Sequence, residues 1–269
     1  MKRRPLQTTV VGCGAVAHKL YLKPLRRLEK DGVLRIVGLV DPSPMRAGLM
    51  RQGLRNAQLS TDLAESLRLN SPDLVLILSP AQLHAEQTML ALRHGCHVLC
   101  EKPVATTLKE CEQTIKVSIA ADRIVAVAMV RRFFPAYWAM KSLLQSSGPP
   151  RRFEYNEGRR FEWEVTTAAN FRPTGRGGSG VLLDLGPHVI DTLTWFFGPL
   201  HVTSCGDDAF AGGVESNVVL EVESEACSEY RGTSPCETSF VCTATTTRRY
   251  LGLTSSISWR FVAIGASNR

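Results

Sequence analysis

The sequence predicts a doubly wound α/β domain with a parallel sheet, followed by an α+β domain with a mostly antiparallel sheet. Three observations carry this. Five short apolar runs alternate with helical segments between Thr8 and Val130. These runs are apolar on consecutive positions, which suits strands covered by helices on both faces. After Pro135-Ala136 the alternation stops and strand-like segments dominate. With 269 residues, the chain exceeds the roughly 250 at which single cores tend to split, so segments 1–130 and 131–269 are expected to fold separately.

In order, Thr8 to Val11 is a β-branched run ending in glycines. Ala15 to Glu29 has helical periodicity, interrupted near Pro24. Leu34 to Val40 is a second strand, closed by Asp41-Pro42. Pro44 to Leu54 and Thr61 to Leu67 read as helices, the second capped by Thr61 or Asp62. Leu74 to Leu78 is the third strand, and Leu83 to Gly95 a helix stopped by its glycine. His97 to Cys100 is the fourth strand, Thr107 to Ala120 a helix, and Ile124 to Val130 the fifth strand. Beyond these come a helix from Ala136 to Gln145, strands at Arg152 to Tyr155 and Val218 to Val222, and a helix from Pro187 to Phe197.

Composition narrows the function classes. The net charge of +7 is spread over short clusters such as Arg131-Arg132 and Arg248-Arg249, without one basic stripe of interleaved aromatics. Nucleic-acid binding is therefore not expected, and a basic surface attracting anionic small molecules is preferred. None of the eight cysteines forms a C-x-x-C pair. Cys96, His97 and Cys100 fall on or beside a strand whose alternate side chains face opposite ways, so no metal site is expected. No run approaches the roughly 18 apolar residues of a membrane span, so a soluble, cytoplasmic protein is expected.

The first chemical signal lies between the first strand and its helix. Gly12-Cys13-Gly14-Ala15-Val16-Ala17 is a G-x-G-x-x-A element. Its first glycine permits a tight turn, its second lets a pyrophosphate approach the backbone, and small residues allow close strand–helix packing. The helix start supplies N–H groups and positive potential for an anion. This matches the fingerprint of a Rossmann dinucleotide-binding domain, with a glycine-rich turn that holds no ligand as the alternative. Asp41 stands at the end of the second strand, where a carboxylate can accept ribose hydroxyls and repel a 2′-phosphate. NAD is therefore the expected cofactor, with NADP left open by Arg46. A purely local role for Asp41, opening the turn at Pro42-Ser43, is the alternative.

Three further motifs carry a resemblance. Ser79-Pro80-Ala81-Gln82-Leu83-His84 follows the third strand, and Glu101-Lys102-Pro103 follows the fourth. Later, Gly177-Gly178-Ser179-Gly180 leads into Asp184-Leu185-Gly186-Pro187-His188-Val189-Ile190-Asp191. In this order the set resembles the Gfo/Idh/MocA family of oxidoreductases, which includes glucose–fructose oxidoreductase and inositol dehydrogenase.

The resemblance implies a dehydrogenase or reductase acting on CH–OH groups of a sugar, polyol or related small molecule. It also implies that Lys102 lies between nicotinamide and substrate, with the following prolyl bond commonly cis, and that the protein forms a dimer or tetramer. Chemistry fits the same residues. The Lys102 ammonium can stabilise negative charge on a reacting oxygen. His188 can exchange the hydroxyl proton, and Asp184, four residues earlier, can orient it or bind a substrate hydroxyl.

Ser79, Pro80, His84 and Glu101 are candidate cofactor-site residues; for His84 a helix-start role is equally open, and Glu101 can act structurally through backbone contacts. Tyr155, Phe161, Trp163 and Arg172 are candidates for the substrate pocket, with core or surface roles as alternatives. Relatives continue well beyond 269 residues, and from about Ser224 the chain is rich in Ser, Thr and Cys. A truncated or frame-shifted C-terminus is therefore expected, with a divergent short tail as the alternative. The competing functions are a catalytically silent dinucleotide-binding sensor or subunit and an inactive relative.

Overall fold

Val10 and Val11 point to opposite sides of one sheet, and both are buried, as an all-parallel sheet requires. A computed structural model describes residues 4–148, 153–160, 180–209, 215, 217–224 and 240–247, with 158–160 and 240–247 as backbone alone. The chain divides into two units, Met1–Ala128 and Met129–Arg269.

The first unit holds a six-stranded sheet in the order β3-β2-β1-β4-β5-β6, all neighbours parallel. The strands are β1 (Leu6–Val11), β2 (Leu34–Val40), β3 (Gln58–Ser60), β4 (Leu74–Ile77), β5 (His97–Cys100) and β6 (Val125–Val127). Helices α1 (Leu22–Lys30), α2 (Pro44–Arg51), α3 (Leu63–Asn70), α4 (Ala81–Arg93) and α5 (Leu108–Ala121) connect them. Val10, Leu39 and Leu76 join one apolar cluster with Leu25, Ala47 and Met50, while Val11, Val40 and Ile77 join another with Leu67 and Leu92. Each such aliphatic side chain contributes about 1.5–3 kcal/mol on burial. The order reverses between β1 and β4, and open α/β sheets bind ligands in the crevice at that reversal.

Local chemistry sets the helix ends. Ser43 and Asp62 accept the Arg46 and Glu65 N–H groups as N-caps. Thr107 and Glu110 form a reciprocal capping box at α5. The expected helix break near Pro24 lies earlier, as a π-turn over Ala17–Tyr21 in which the Leu22 N–H reaches the Ala17 carbonyl. Pro24 has no N–H for the Leu20 carbonyl, so the ladder adjusts upstream of the ring.

The second unit packs helix α7 (Val181–Phe197) on a four-stranded sheet. A helix α6 (Pro135–Ser147) precedes strand β7 (Phe153–Arg160), and β8 (Leu200–Asp207), β9 (Asn217–Ser224) and β10 (Phe240–Thr247) complete the order β7-β10-β9-β8. The β8–β9 and β9–β10 pairs are antiparallel, and β10 runs parallel to β7. Val181, Leu185, Val189 and Leu193 recur every fourth residue along α7, against alternate residues Val218, Leu220 and Val222 of β9. Helix α7 begins six residues before the expected start at Pro187, which lies inside it. Gly186 has no Cβ to collide with the proline ring, which eases helical continuation.

Tyr155 takes the core role, at 2% exposure. Arg131 donates to its hydroxyl at 2.8 Å and pairs with Glu157, and both charged groups are buried. Removing one partner leaves an unpaired buried charge, costing about 3–5 kcal/mol. Arg131→Met should therefore lower second-unit stability by about that much in urea unfolding, and adding Glu157→Leu should restore most of it. An unchanged midpoint in Arg131→Met would show that the pair carries no such weight.

Candidate functional site

At the carboxyl edge of β1, the chain turns through Gly12 with φ +88°, a conformation costly to any side-chain-bearing residue. A Cβ there would lie 2.6 Å from the Ser79 nitrogen and 2.7 Å from the Leu78 carbonyl carbon. The turns after β1 and β4 thus touch backbone to backbone at the sheet's reversal point. Gly14 differs, since a Cβ there would meet nothing within 4 Å. Its open face lies at the helix start, Ala15-Val16, as a dinucleotide cradle requires. Ala17 is fully buried beside Val10 and Cys13, which gives the close strand–helix packing that the motif implies.

Asp41 is buried at 3% exposure. Its two oxygens accept the Cys13 and Ser43 N–H groups, each at 2.8 Å. The turn role is therefore real, and the same carboxylate also fixes the glycine loop. Each oxygen retains a second lone pair for another donor. Burial, and secondarily Asp41, push the Cys13 thiol up to about 12, so it stays neutral and packs as a small apolar group.

The remaining first-unit candidates gather on the loops after β4 and β5. Pro80 opens α4, and Ser79 precedes it. His84 is buried, at 1% exposure. Its Nδ1 lies 2.7 Å from the Pro103 carbonyl and its Nε2 2.7 Å from the Ser79 carbonyl. The imidazole thus lies between the two loops, and which carbonyl receives its N–H depends on the tautomer. Glu101 N–H bonds the Ile77 carbonyl, and the Lys102–Pro103 bond is cis. Lys102 itself is half-buried. Glu101 accepts the Tyr21 hydroxyl at 2.6 Å on one oxygen and the Lys102 N–H at 3.1 Å on the other. Tyr21 carries no motif signal, so sequence reasoning missed it.

In the second unit, Asp184 lies in the first turn of α7 and His188 one turn later, both half-buried. Glu215 accepts the Val181 N–H through its carbonyl and the Leu182 N–H through its carboxylate, supplying the cap that Gly180 lacks. Asp191 makes a two-pronged ion pair with Arg132, at 2.9 and 2.7 Å. Phe161, Trp163, Arg172, Gly177, Gly178, Ser179, Cys227 and Cys236 lie outside the described residues, as does the side chain of Cys242.

Residues 6–129 match the family described as "Oxidoreductase family, NAD-binding Rossmann fold". This part of the chain, the first unit, belongs to the Gfo/Idh/MocA oxidoreductase family. The chain is 32% identical over 196 residues to scyllo-inositol 2-dehydrogenase (NADP(+)) IolU of Bacillus subtilis, spanning 70% of this chain and 59% of that protein. Against D-glucoside 3-dehydrogenase of Escherichia coli, identity is 28% over 221 residues, spanning 78% and 59%. The chain thus spans less than two thirds of the length of these relatives. An oxidoreductase structure from Thermotoga maritima superposes with a TM-score of 0.81 at 21% identity, covering 97% of this chain and 77% of that one. Scyllo-inositol dehydrogenase from Lactobacillus casei, with bound NAD(H) and scyllo-inositol, gives 0.74 at 19% identity, covering 90% and 70%. These two structures share this chain's fold. Among the described residues no helix is long and apolar enough to cross a membrane.

The two glycines should separate in stability measurements. Gly12→Ala combines a positive φ with a backbone clash and should cost at least about 2 kcal/mol by thermal or urea unfolding. Gly14→Ala should leave stability unchanged or slightly raised. Equal effects would contradict the geometry of this turn.

Proposed function

We propose that this protein is an NAD(P)-dependent oxidoreductase of CH–OH groups, acting on a sugar, polyol or cyclitol. The observation that carries this is the Gly12–Gly14 turn, with one glycine locked against Ser79 and the other open at a helix start, at the sheet's reversal point. The residues there fit a dinucleotide. Gly14 and the N–H groups at the helix start would receive the pyrophosphate, and Asp41 would accept a ribose hydroxyl. NAD is the proposed preference, because the Asp41 carboxylate disfavours a 2′-phosphate. NADP is the alternative, given the name of the Bacillus subtilis relative. When bound, the nicotinamide supplies the hydride-accepting or hydride-donating centre.

The chain's own residues supply the rest. Lys102 donates a hydrogen bond to the reacting oxygen and stabilises the negative charge that develops on it. His188 accepts the hydroxyl proton in oxidation and returns it in reduction. Asp184 orients His188 or holds a neighbouring substrate hydroxyl. The substrate class comes from what the inositol and glucoside dehydrogenase relatives are named for.

A panel of inositols, aldoses and glucosides, followed by nicotinamide absorbance with either cofactor, tests this directly. Turnover is expected with at least one polyol or sugar. Lys102→Met should lower kcat at least about 10³-fold, which corresponds to roughly 4 kcal/mol of lost transition-state stabilisation. Cofactor affinity should stay within a few-fold. Undiminished turnover in that variant would remove Lys102 from the mechanism. Saturable cofactor binding with no turnover on any substrate would favour the silent, sensor-like reading.

A further inference from the structure

Lys102 sits on a loop, and a loop must be held if its ammonium is to meet a reacting oxygen. The Glu101–Pro103 segment is held at both ends by side chains from other elements. At the far end, His84 Nδ1, on α4, lies 2.7 Å from the Pro103 carbonyl, which the Nδ1–H tautomer bonds. At the near end, the Tyr21 hydroxyl donates to Glu101 Oε1 at 2.6 Å, while Glu101 Oε2 accepts the Lys102 N–H at 3.1 Å. A phenol donating to a carboxylate is a charge-assisted bond of the shorter, stronger kind. Burial, and then Glu101, push the Tyr21 phenol above its ordinary value, so the proton stays on the tyrosine and the bond keeps this direction.

Tyr21 reaches this contact because of where it lies. It is the last residue of the Ala17–Tyr21 π-turn, directly after the glycine-loop motif. A π-turn is wider than an α-turn, so it changes which face each following residue presents. Here it leaves the ring half-buried against the apolar cluster of Val10, Leu25 and Leu39. One short segment therefore carries both the proposed dinucleotide cradle and the strut to the loop of Lys102.

We propose that Tyr21 is a positioning residue: through Glu101 it fixes the backbone of Lys102 relative to the glycine-loop helix. This rests on the reading of Lys102 as the donor to the reacting oxygen. It adds that the cofactor-binding segment and the reacting loop are tied by one hydroxyl. Catalytic geometry is steep, since a displacement of about 1 Å can cost on the order of 10²-fold in rate.

The test is Tyr21→Phe, which removes one oxygen and keeps the ring in place, with Glu101→Gln as the second variant. Thermal melting checks the fold of each. Two readouts follow, made on the full chain. Hydrogen–deuterium exchange of a peptide spanning residues 98–106 needs no turnover; its Lys102 amide should exchange severalfold faster in both variants, with peptides from β1 and β2 unchanged. In steady-state assays at saturating cofactor, Tyr21→Phe should lower kcat about tenfold, while substrate KM and the NADH dissociation constant from fluorescence titration stay within about twofold.

Unchanged loop exchange in Tyr21→Phe would overturn the proposal. So would a kcat loss matched by an equal loss of NADH affinity, because Tyr21 would then act on cofactor binding instead. If the wild-type chain turns over no substrate, the reading of Lys102 fails separately. The exchange data then still support or overturn the link from Tyr21 through Glu101 to Lys102.

Discussion

The first unit's part of the candidate site depends on one close approach, between the backbone of Gly12 and the backbone of Leu78–Ser79. Van der Waals repulsion leaves no room for a Cβ in that contact, and the positive φ at Gly12 turns the chain away from β1 as it passes. A flexible glycine costs roughly 0.5–1 kcal/mol in a regular element. Here that cost is offset by the fit of two turns at the edge of a fully buried sheet. From this approach further contacts run outward: Asp41 accepts the Cys13 N–H, His84 lies between the Ser79 and Pro103 carbonyls, and Tyr21 donates to Glu101. These contacts link the loops after β1, β2, β4 and β5.

The second unit solves a parallel problem with different interactions. Asp184 and His188 are only as well placed as α7, and α7 is fixed in several ways. Its apolar face packs on β9, Glu215 caps its first turn, and Asp191 pairs with Arg132. Beneath lies the buried Arg131–Glu157 pair with Tyr155 and Tyr137 around it. Such a pair contributes little net stability against an apolar replacement, but it tolerates few alternative arrangements.

Much of the first unit was legible in the sequence, because its signals are local. β2 and β5 have the bounds that their apolar runs and flanking Asp41-Pro42 and Glu101-Lys102 mark out. β3 escaped because Gln58–Ser60 is a short edge strand without an apolar run. The strand expected over Ile124 to Val130 shrank to Val125–Val127, because Val130–Phe133 closes into a 3₁₀ turn. β8 was illegible because nearly all of it is exposed, so no alternation was imposed on it. β10 was unforeseen too: its run of threonines hides a strand that lies between β7 and β9. At the site, glycines and motif residues were readable because backbone geometry restricts them. The partners were not: Tyr21 meets Glu101 across 80 positions, Glu215 meets α7 across 33, and neither distance leaves a local pattern.

The proposed function requires that the open face at Gly14 receive a dinucleotide. The most direct measurement is a fluorescence titration with NADH and NADPH of the wild-type chain and of Gly14→Val, alongside a melting curve for each. Saturable binding to the wild type is expected, and its loss in Gly14→Val without loss of folding, because the new side chain fills space that the fold does not use. A folded wild type that binds neither nucleotide, or a Gly14→Val variant that binds as well as the wild type, would contradict it.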